Sequence, residues 1–415
     1  MDGKILYILA FILLGCSNKK EEQTTSFTKP AVEIISNTTN SIAGEAISLV
    51  FKTEADVNTI KLYIKNAFGS TFLSPTISES ENIVFHIPKN YTRIAGPCKW
   101  KLLLEGHNIQ EGKFDVATNA PKATYIESYF GPRSVTAGYN DYSMLTIAPT
   151  DAFDNPLDDG TKITVKYQFQ ENIDETEIET ESFFAFYNVR STLKSGRILV
   201  TAECNGTTSK ELATIVYPDN ATDFTISGTS AHNYADGNQI ITFTSDIIKD
   251  KYGNIVTNGT LVTFVIKTDK DAYLYTIGTT INGIAEAKTL HPDEAANWEI
   301  QAFVTGAAES NTTNFTFNAA IKDYPVHFSK GNRNLDIGPF ESFMKQLIPD
   351  GLLTQLDIYD ANGTYIDTKK TTSKNGVCTI FLGEHFLEDG DYILKLTAAG
   401  ITKEFRKNIH GDTVK

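Results

Sequence analysis

Two sequence markers recur along the chain about 100 residues apart, and this period limits the fold more than any other feature. A turn glycine before an apolar strand pattern occurs at Gly44, Gly138 and Gly237, which are 94 and 99 residues apart (138 − 44 and 237 − 138). An Asp-rich turn begins at Asp151 and again at Asp250, also 99 residues apart (250 − 151). Two independent markers with nearly the same period predict a tandem repeat. A repeat of about 100 residues is the size of one Ig-type β-sandwich.

The most regular copy of the repeat covers residues 250–287. Within it, residues 261–266 (LVTFVI) have the period-two alternation and the β-branched composition of a strand. An Asn-Gly pair precedes this strand at Asn258-Gly259, and a second one, Asn282-Gly283, marks a tight reversal before the next strand. The stretch therefore predicts antiparallel strands joined by short turns.

This stretch resembles the bacterial Ig-like domains of the invasin/intimin family, in which a D-x-x-G-N-x-V-x-x-G-T-x-V-x-F segment forms one edge of a β-sandwich. The residues that carry the pattern are Asp250, Gly253, Asn254, Val256, Gly259, Thr260, Val262 and Phe264. The resemblance implies an all-β fold of tandem Ig-like sandwiches in an elongated array, used as a stiff spacer. The sequence shows no counterpart of that family's outer-membrane barrel or lectin-like cap, so integrin-type binding is not carried over.

The period divides the chain into four units. We predict an Ig-like domain at residues 29–117, invasin-like domains at residues 121–218 and 221–319, and an Ig-like or other β-sandwich domain at residues 320–410. The third unit matches the pattern best, and the fourth is the least regular. Apolar positions 340, 343, 344 and 347 predict a short amphipathic helix over Phe340–Leu347. We expect any protein or glycan ligand to bind this fourth unit, which lies farthest from the N-terminus.

The N-terminus has the pattern of a lipoprotein signal peptide at residues 1–15. Lys4 precedes a short apolar run that ends in Leu-Leu-Gly-Cys, which resembles a bacterial lipobox with Cys16 as the acylated residue. The alternative is an ordinary signal peptide followed by a coincidental cysteine. Residues 16–28 are polar and predict a flexible tether. The Lys-Lys-Glu-Glu segment at 19–22 favours an outer-membrane lipoprotein on the cell surface, with a periplasm-facing protein as the alternative.

Charge and motif content exclude several classes of function. The formal net charge is −14, and no basic stripe is present that could neutralise phosphates, so nucleic-acid binding is not expected. The seven histidines are scattered without metal-ligand spacing, and no phosphate-binding loop or nucleophile motif occurs. We therefore predict no cofactor and no enzyme activity, although the sequence leaves open a Ser/His/Asp site assembled from distant residues.

Two acidic stretches are candidate cation sites. Carboxylates alternate along residues 175–181, where a solvated edge strand is the competing and favoured interpretation. Asp154, Asp158 and Asp159 are weak calcium candidates, but they lack the spacing of a calcium loop and are ordinary turn residues. We predict no metal site.

The remaining cysteines and the two tryptophans are expected to be structural. Cys98, Cys204 and Cys378 fall in different units, so they are predicted to be buried free thiols. Trp100 is expected in a core, and Trp298, at a strand start, is expected to be partly exposed.

The function predicted from these features is a lipid-anchored cell-envelope protein whose Ig-like modules form an extracellular stalk for adhesion or protein–protein interaction. The alternatives are a surface glycan-binding lipoprotein, which would need exposed aromatic rings, and an accessory subunit of an envelope or secretion complex.

Overall fold

A computed structural model describes residues 27–36, 39–77, 82–120 and 123–411. The all-β prediction is confirmed, since strands dominate and the α-helix of the described residues, α1 (Lys89–Thr92), has four residues. The signal peptide, Cys16 and most of the predicted tether lie outside the described residues. Within the described ranges, no helix has the length and apolar character needed to span a bilayer.

The first sandwich has two antiparallel layers, in the orders β1-β3-β7-β6 and β2-β9-β8-β4-β5, with β2 added parallel to β9. Its strands are β1 (Val32–Ile34), β2 (Asn40–Ile42), β3 (Ser48–Thr53), β4 (Ile60–Asn66), β5 (Gly69–Leu73), β6 (Thr76–Ile77), β7 (Ile83–His86), β8 (Gly96–Leu104) and β9 (His107–Ala117).

The second sandwich has the orders β10-β12-β15 and β11-β18-β16-β13-β14, with β17 paired to β16. Its strands are β10 (Thr124–Gly131), β11 (Ser134–Thr136), β12 (Tyr142–Asp151), β13 (Lys162–Phe169), β14 (Asn172–Glu179), β15 (Ala185–Arg190), β16 (Gly196–Cys204), β17 (Thr207–Thr208) and β18 (Leu212–Tyr217). The carboxylates of residues 175–179 lie on β14, which is the edge of its layer, so the edge-strand interpretation is confirmed.

In the third sandwich one long strand, β23, pairs with β22 along most of its length and with β24 at its end, giving the order β19-β21-β24-β23-β22-β25-β27-β20 with β26 on β25. The strands are β19 (Ile226–Thr229), β20 (Tyr234–Ala235), β21 (Ile240–Ser245), β22 (Leu261–Thr268), β23 (Tyr273–Ile281), β24 (Ile284–Leu290), β25 (Ala296–Val304), β26 (Ala308–Glu309) and β27 (Thr313–Ala319).

The local chemistry of the third sandwich explains these strands. Val262, Phe264 and Ile266 of β22 are fully buried, whereas Leu261 is half exposed, as period-two alternation requires. Asn282 and Gly283 have φ of 52° and 81°, which is the left-handed geometry of a two-residue hairpin turn between β23 and β24.

The fourth sandwich has layers β28-β29-β32 and β31-β30-β33-β34. Its strands are β28 (Val326–Ser329), β29 (Asn334–Ile337), β30 (Leu353–Asp360), β31 (Tyr365–Thr372), β32 (Cys378–Phe381), β33 (Gly390–Ala398) and β34 (Ile401–Ile409).

The helix predicted over Phe340–Leu347 is wrong. This segment is a turn closed by a β-bridge between Glu341 and Leu347, and its backbone bonds include the Ser342 amide donating to the Gln346 carbonyl. The apolar spacing that suggested a helix has another cause. Phe340 is buried in the core of the fourth sandwich, whereas residues 343, 344 and 347 are 40–56% exposed, and Phe343 contacts Tyr234 of the third sandwich.

Each sandwich has a hydrophobic core of its own, formed by buried side chains within residues 43–116, 130–216, 221–317 and 321–409. Cys98, Cys204 and Cys378 are free and buried, as predicted, and burial raises the pKa of the Cys98 thiol to about 11. Trp100 is in the first core, as expected. Trp298 is only 3% exposed, so the expectation of partial exposure is wrong, because its ring packs edge-on against Phe317.

Candidate functional site at the domain junctions

The turn that carries the sequence pattern is organised around the buried carboxylate of Asp250. Its Oδ1 accepts the backbone N–H groups of Tyr252 and Asn254, both at 2.8 Å. Its Oδ2 accepts the Asn254 carboxamide at 2.7 Å and the backbone N–H of Asp219, in the connection from the second sandwich, at 2.9 Å. One side chain therefore fixes both the turn and the connecting segment.

Asn254 carries this organisation across to the preceding sandwich. Its Nδ2 donates to the carbonyl of Leu193 at 2.8 Å, and its Oδ1 accepts the N–H of Ser195 at 3.0 Å. A carboxamide is suited to this position because it donates and accepts through adjacent atoms. The two sandwiches are thus joined by a pair of hydrogen bonds from one side chain.

The ring of Tyr252 completes the contact. It packs against the core of the second sandwich and covers Gly138, where a Cβ would lie 2.9 Å from the tyrosine hydroxyl. Gly138 has φ of 134°, so both the backbone geometry and the ring require glycine there.

The first junction repeats this arrangement with other residues. Asp151 accepts the backbone N–H of Asn119 at 2.9 Å and holds Asn155, whose carboxamide donates to the Arg93 carbonyl at 2.8 Å. The Ala95 N–H donates to the Asn155 Oδ1 at 2.9 Å. The Phe153 ring covers Gly44, where a Cβ would approach it to 2.4 Å.

At each of these junctions, the later sandwich contributes an aspartate, an aromatic residue and an asparagine, which we call the clamp. The surface of the earlier sandwich that receives these side chains is called the socket. The sockets are Gly44 with loop 93–95 and Gly138 with loop 193–195. In each, the glycine N–H donates to the residue just before the loop, the carbonyls of Thr92 and Thr192 respectively. The sockets are therefore preformed by the backbone of one sandwich.

The clamp aspartates are held as carboxylates. Burial raises the pKa of Asp250, but the hydrogen bonds from Asn254, Asp219 and Tyr252 outweigh it, so the pKa lies below its usual value. Asp151 shows the same lowered pKa for the same reasons, with Asn155 and Asn119 among its donors.

The third junction has a socket but lacks the clamp. The Gly237 N–H donates to the Pro292 carbonyl at 3.0 Å, so Gly237 with loop 293–295 matches the other two sockets. In the turn of the fourth sandwich, however, Ser342 replaces the aspartate and Gln346 replaces the asparagine. Among the described residues, no hydrogen bond joins Gln346 to loop 293–295, and no ring from the fourth sandwich covers Gly237.

Different contacts join the third and fourth sandwiches. The Phe343 ring stacks on Tyr234 with a centroid separation of 3.8 Å, and the Phe343 N–H donates at 3.0 Å to the carbonyl of Ala320, in the connection that follows β27. Beside these contacts lies a cleft of about 460 Å³, lined by both sandwiches. Trp298 and apolar side chains such as Ile348 form part of its wall. Five carboxylates also line it: Asp236, Asp269, Asp293, Glu294 and Asp350.

A Ser/His/Asp grouping, which the sequence left open, does occur near this cleft. The Ser230 hydroxyl lies 2.6 Å from Nε2 of His291, whose Nδ1 is 3.7 Å from Asp236 and 2.8 Å from the Tyr234 carbonyl. The His291 side chain is fully buried, and Ser230 does not line the cleft but also donates to the His232 carbonyl. This geometry is that of an internal hydrogen-bond network that connects the start of β20 to loop 291–293.

The other candidate residues have local structural partners. Asp159 accepts the Phe183 N–H at 2.8 Å, while Asp154 and Asp158 are exposed turn residues. Within the described part of the chain, no three His, Cys, Asp or Glu side chains are grouped to hold a metal ion. Gly259 and Thr260 lie beside β23, where the Gly259 N–H donates to Thr280. Gly253 has φ of 79°, in the left-handed region that the clamp turn requires.

Sequence reasoning identified Asp250 and Asn254 as fold-pattern residues but missed their contact with the preceding sandwich. The available signal was the recurrence of Asp-x-aromatic-x-Asn at residues 151–155 and 250–254. The aspartate alone can hold such a turn, so the repeated aromatic ring and asparagine indicate an additional contact.

Comparisons with known proteins give structural likenesses only. No protein-family model matches the chain, and no curated protein sequence matches it. Among solved structures, it is similar to FdeC, an Escherichia coli adhesin, with 13% identity over 70% of this chain and 97% of that one (TM-score 0.43). It is similar to invasin, a bacterial integrin-binding protein, with 11% identity over 92% and 79% of the two chains (TM-score 0.42). A tetra-tandem repeat from the extending region of a large adhesion protein has 12% identity over 92% and 99% (TM-score 0.28).

Proposed function

We propose that this protein is a lipid-anchored component of the cell envelope whose Ig-like modules form an extracellular stalk for adhesion or protein–protein interaction. The observation that carries the proposal is the pair of clamped junctions. Each clamp uses a buried carboxylate, a bridging carboxamide and a ring over glycine to fix one sandwich on the next. Such junctions serve a protein that must hold its far end at a distance.

Four separate hydrophobic cores follow one another along the chain, which supports an array of modules rather than one globule. Small-angle X-ray scattering tests the stalk directly. A compact chain of this length would have a radius of gyration of about 22 Å. We expect a value well above this, and a value near it would refute the stalk.

The lipid anchor is proposed from Cys16. Two or three acyl chains on one residue hold a protein stably on a membrane, which a single chain does not. The test is mass spectrometry of the mature N-terminus from cells that express the wild-type chain or Cys16→Ser. Acyl chains should be present only on the wild type, and an unmodified Cys16 in the mature protein would remove the anchor from the proposal.

We further propose an outer-membrane location with the stalk facing outward, supported by the Lys-Lys-Glu-Glu segment that follows Cys16. Protease treatment of intact cells separates the two orientations. Digestion of the sandwiches without lysis is expected, and protection until the outer membrane is broken would indicate the periplasmic alternative.

Glycan binding is the second candidate, and one surface of the second sandwich favours it. The Tyr129 ring lies over Gly131, where a Cβ would be 2.7 Å from its hydroxyl, and Tyr129 is 69% exposed. Phe186, in the same cross-strand row through Thr146, is 64% exposed. A rigid exposed ring can stack on a sugar face. Retardation in polysaccharide gels that is lost in Tyr129→Ala, but not in Tyr217→Ala, would support glycan binding over a purely protein-binding stalk.

A further inference from the structure

The third socket has the same construction as the two that are filled. In all three, a left-handed glycine donates its N–H to the residue before a three-residue loop: Gly44 to Thr92, Gly138 to Thr192 and Gly237 to Pro292. The first loop position offers a carbonyl and the third an N–H, at Arg93 and Ala95 and again at Leu193 and Ser195. The equivalent groups of the third sandwich belong to Asp293 and Ala295.

The two residues that carry these equivalent groups lie at the surface. Asp293 and Ala295 are exposed, and no hydrogen bond of the described residues engages the Asp293 carbonyl or the Ala295 N–H. Gly237 and Asp293 line the cleft of about 460 Å³. Gln346, which stands where the clamp asparagine would be, is exposed, and its side chain has no hydrogen-bond partner within the part of the chain that the structure describes.

The chain itself shows what such a socket binds. Both filled sockets receive a carboxamide that bridges the carbonyl and the N–H, together with an aromatic ring on the glycine. The rim of the third socket adds five carboxylates, which are only partly neutralised by Lys270 in its ion pair with Glu294. Negative potential in a cleft attracts a positively charged ligand.

We propose that the third socket is a binding site for a turn of a partner protein that presents an asparagine carboxamide and an aromatic ring, next to a basic residue. The partner would dock between the third and fourth sandwiches as the chain's own clamps dock at the first two junctions. The site goes beyond the proposed stalk function, and it does not depend on acylation of Cys16.

The probe is a fluorescein-labelled cyclic peptide with the sequence of residues 249–255 (KDKYGNI). Cyclisation is appropriate because Lys249 and Ile255 are bridge partners, and a preorganised turn loses less entropy on binding. Fluorescence anisotropy with the purified full-length protein should show saturable binding at one site, because the other two sockets are filled. The peptide with alanine in place of its asparagine should bind at least tenfold more weakly.

Matched protein variants locate the site. Gly237→Asn places a side chain where the ring would lie, and asparagine tolerates the left-handed backbone at φ of 65°. It should weaken peptide binding at least tenfold. Gly306→Asn makes the same change at φ of 76° in the same sandwich, in open space, and should leave affinity within twofold. Melting temperatures of both variants close to that of the wild type would show that the third sandwich still folds in each.

Three results would overturn the proposal. They are no saturable binding, equal binding of the alanine peptide, and unchanged affinity in Gly237→Asn. If the peptide binds Gln346→Ala but not the wild type, the fourth sandwich's own glutamine fills the socket, and a partner site is overturned in favour of an internal contact.

Discussion

The second and third junctions differ in a few side chains around one shared backbone design. At the second junction, Asp250 organises the turn and Asn254 bridges to the preceding loop. At the third, Ser342 and Gln346 occupy those positions, a stacked pair of rings holds the sandwiches, and a cleft remains beside them. The glycine and its loop are thus built alike at both junctions, and the side chains of the following turn differ: those of the third sandwich fill the socket, and those of the fourth do not.

The largest expected effect comes from Asp250→Ala. It would leave the N–H groups of Asp219, Tyr252 and Asn254 without their acceptor, and the unfolding free energy of the third sandwich should fall by about 3 kcal/mol. Hydrogen-exchange mass spectrometry of β22 measures the unfolding free energy of the third sandwich separately from the other three. The matched change Ser342→Ala removes one exposed hydrogen bond, from the Met344 N–H, and should cost the fourth sandwich about 0.5 kcal/mol. Equal losses would contradict the difference between the junctions.

Gly44→Ala and Gly237→Ala separate ring contact from backbone strain. Both place alanine at a left-handed φ, which costs about 1 kcal/mol. Only at Gly44 does the new Cβ overlap a ring, that of Phe153 at 2.4 Å, so Gly44→Ala should lose about 2 kcal/mol more. Denaturant unfolding followed by hydrogen exchange in each sandwich provides the measurement, and similar losses at both glycines would show that the ring moves freely.

Asn254→Ala tests the bridge itself. It removes the hydrogen bonds to Leu193 and Ser195. The free energy of association of the second and third sandwiches should weaken by about 1–2 kcal/mol, and motion between them should increase. Small-angle scattering should show a broader distance distribution. Gln346→Ala, in which no hydrogen bond is lost, should leave the profile unchanged; broadening in that control would indicate that the glutamine is engaged in solution.

The smallest effect is the acid dependence of the clamps. Asp151 and Asp250 have a lower pKa in the folded chain than the value of about 3.9 for an unfolded chain, so their stabilisation is present above about pH 4 and is lost as the pH falls further, through the folded pKa. Asp250→Asn should reduce the acid sensitivity of the third sandwich and leave that of the second. Melting curves between pH 7 and pH 3 test this, and an unchanged slope for the third sandwich would rule Asp250 out as the titrating group.

The sequence predicted the repeated elements because their signals are local. Strand alternation at residues 261–266 and the Asn282-Gly283 hairpin require only near neighbours, and the structure contains both. The junctions were not predicted because Asn254 meets a loop about 60 residues earlier, which spacing alone does not reveal. The helix predicted over Phe340–Leu347 is wrong for a related reason. One buried residue, Phe340, and three exposed apolar residues of a turn have by chance the spacing of the buried stripe of a helix.

The unclamped junction also matters if the chain is held at one end and pulled at the other. Tension passes through all three junctions in series, and the weakest connection lengthens first. The first two resist through carboxamide bridges, whereas the described residues of the third junction show no such bridge and meet through the stacked Phe343 and Tyr234 rings and the approach of Glu294 to Gly400. Mechanical load would therefore widen the cleft between the last two sandwiches, which Trp298 and acidic residues line, before any core is disrupted.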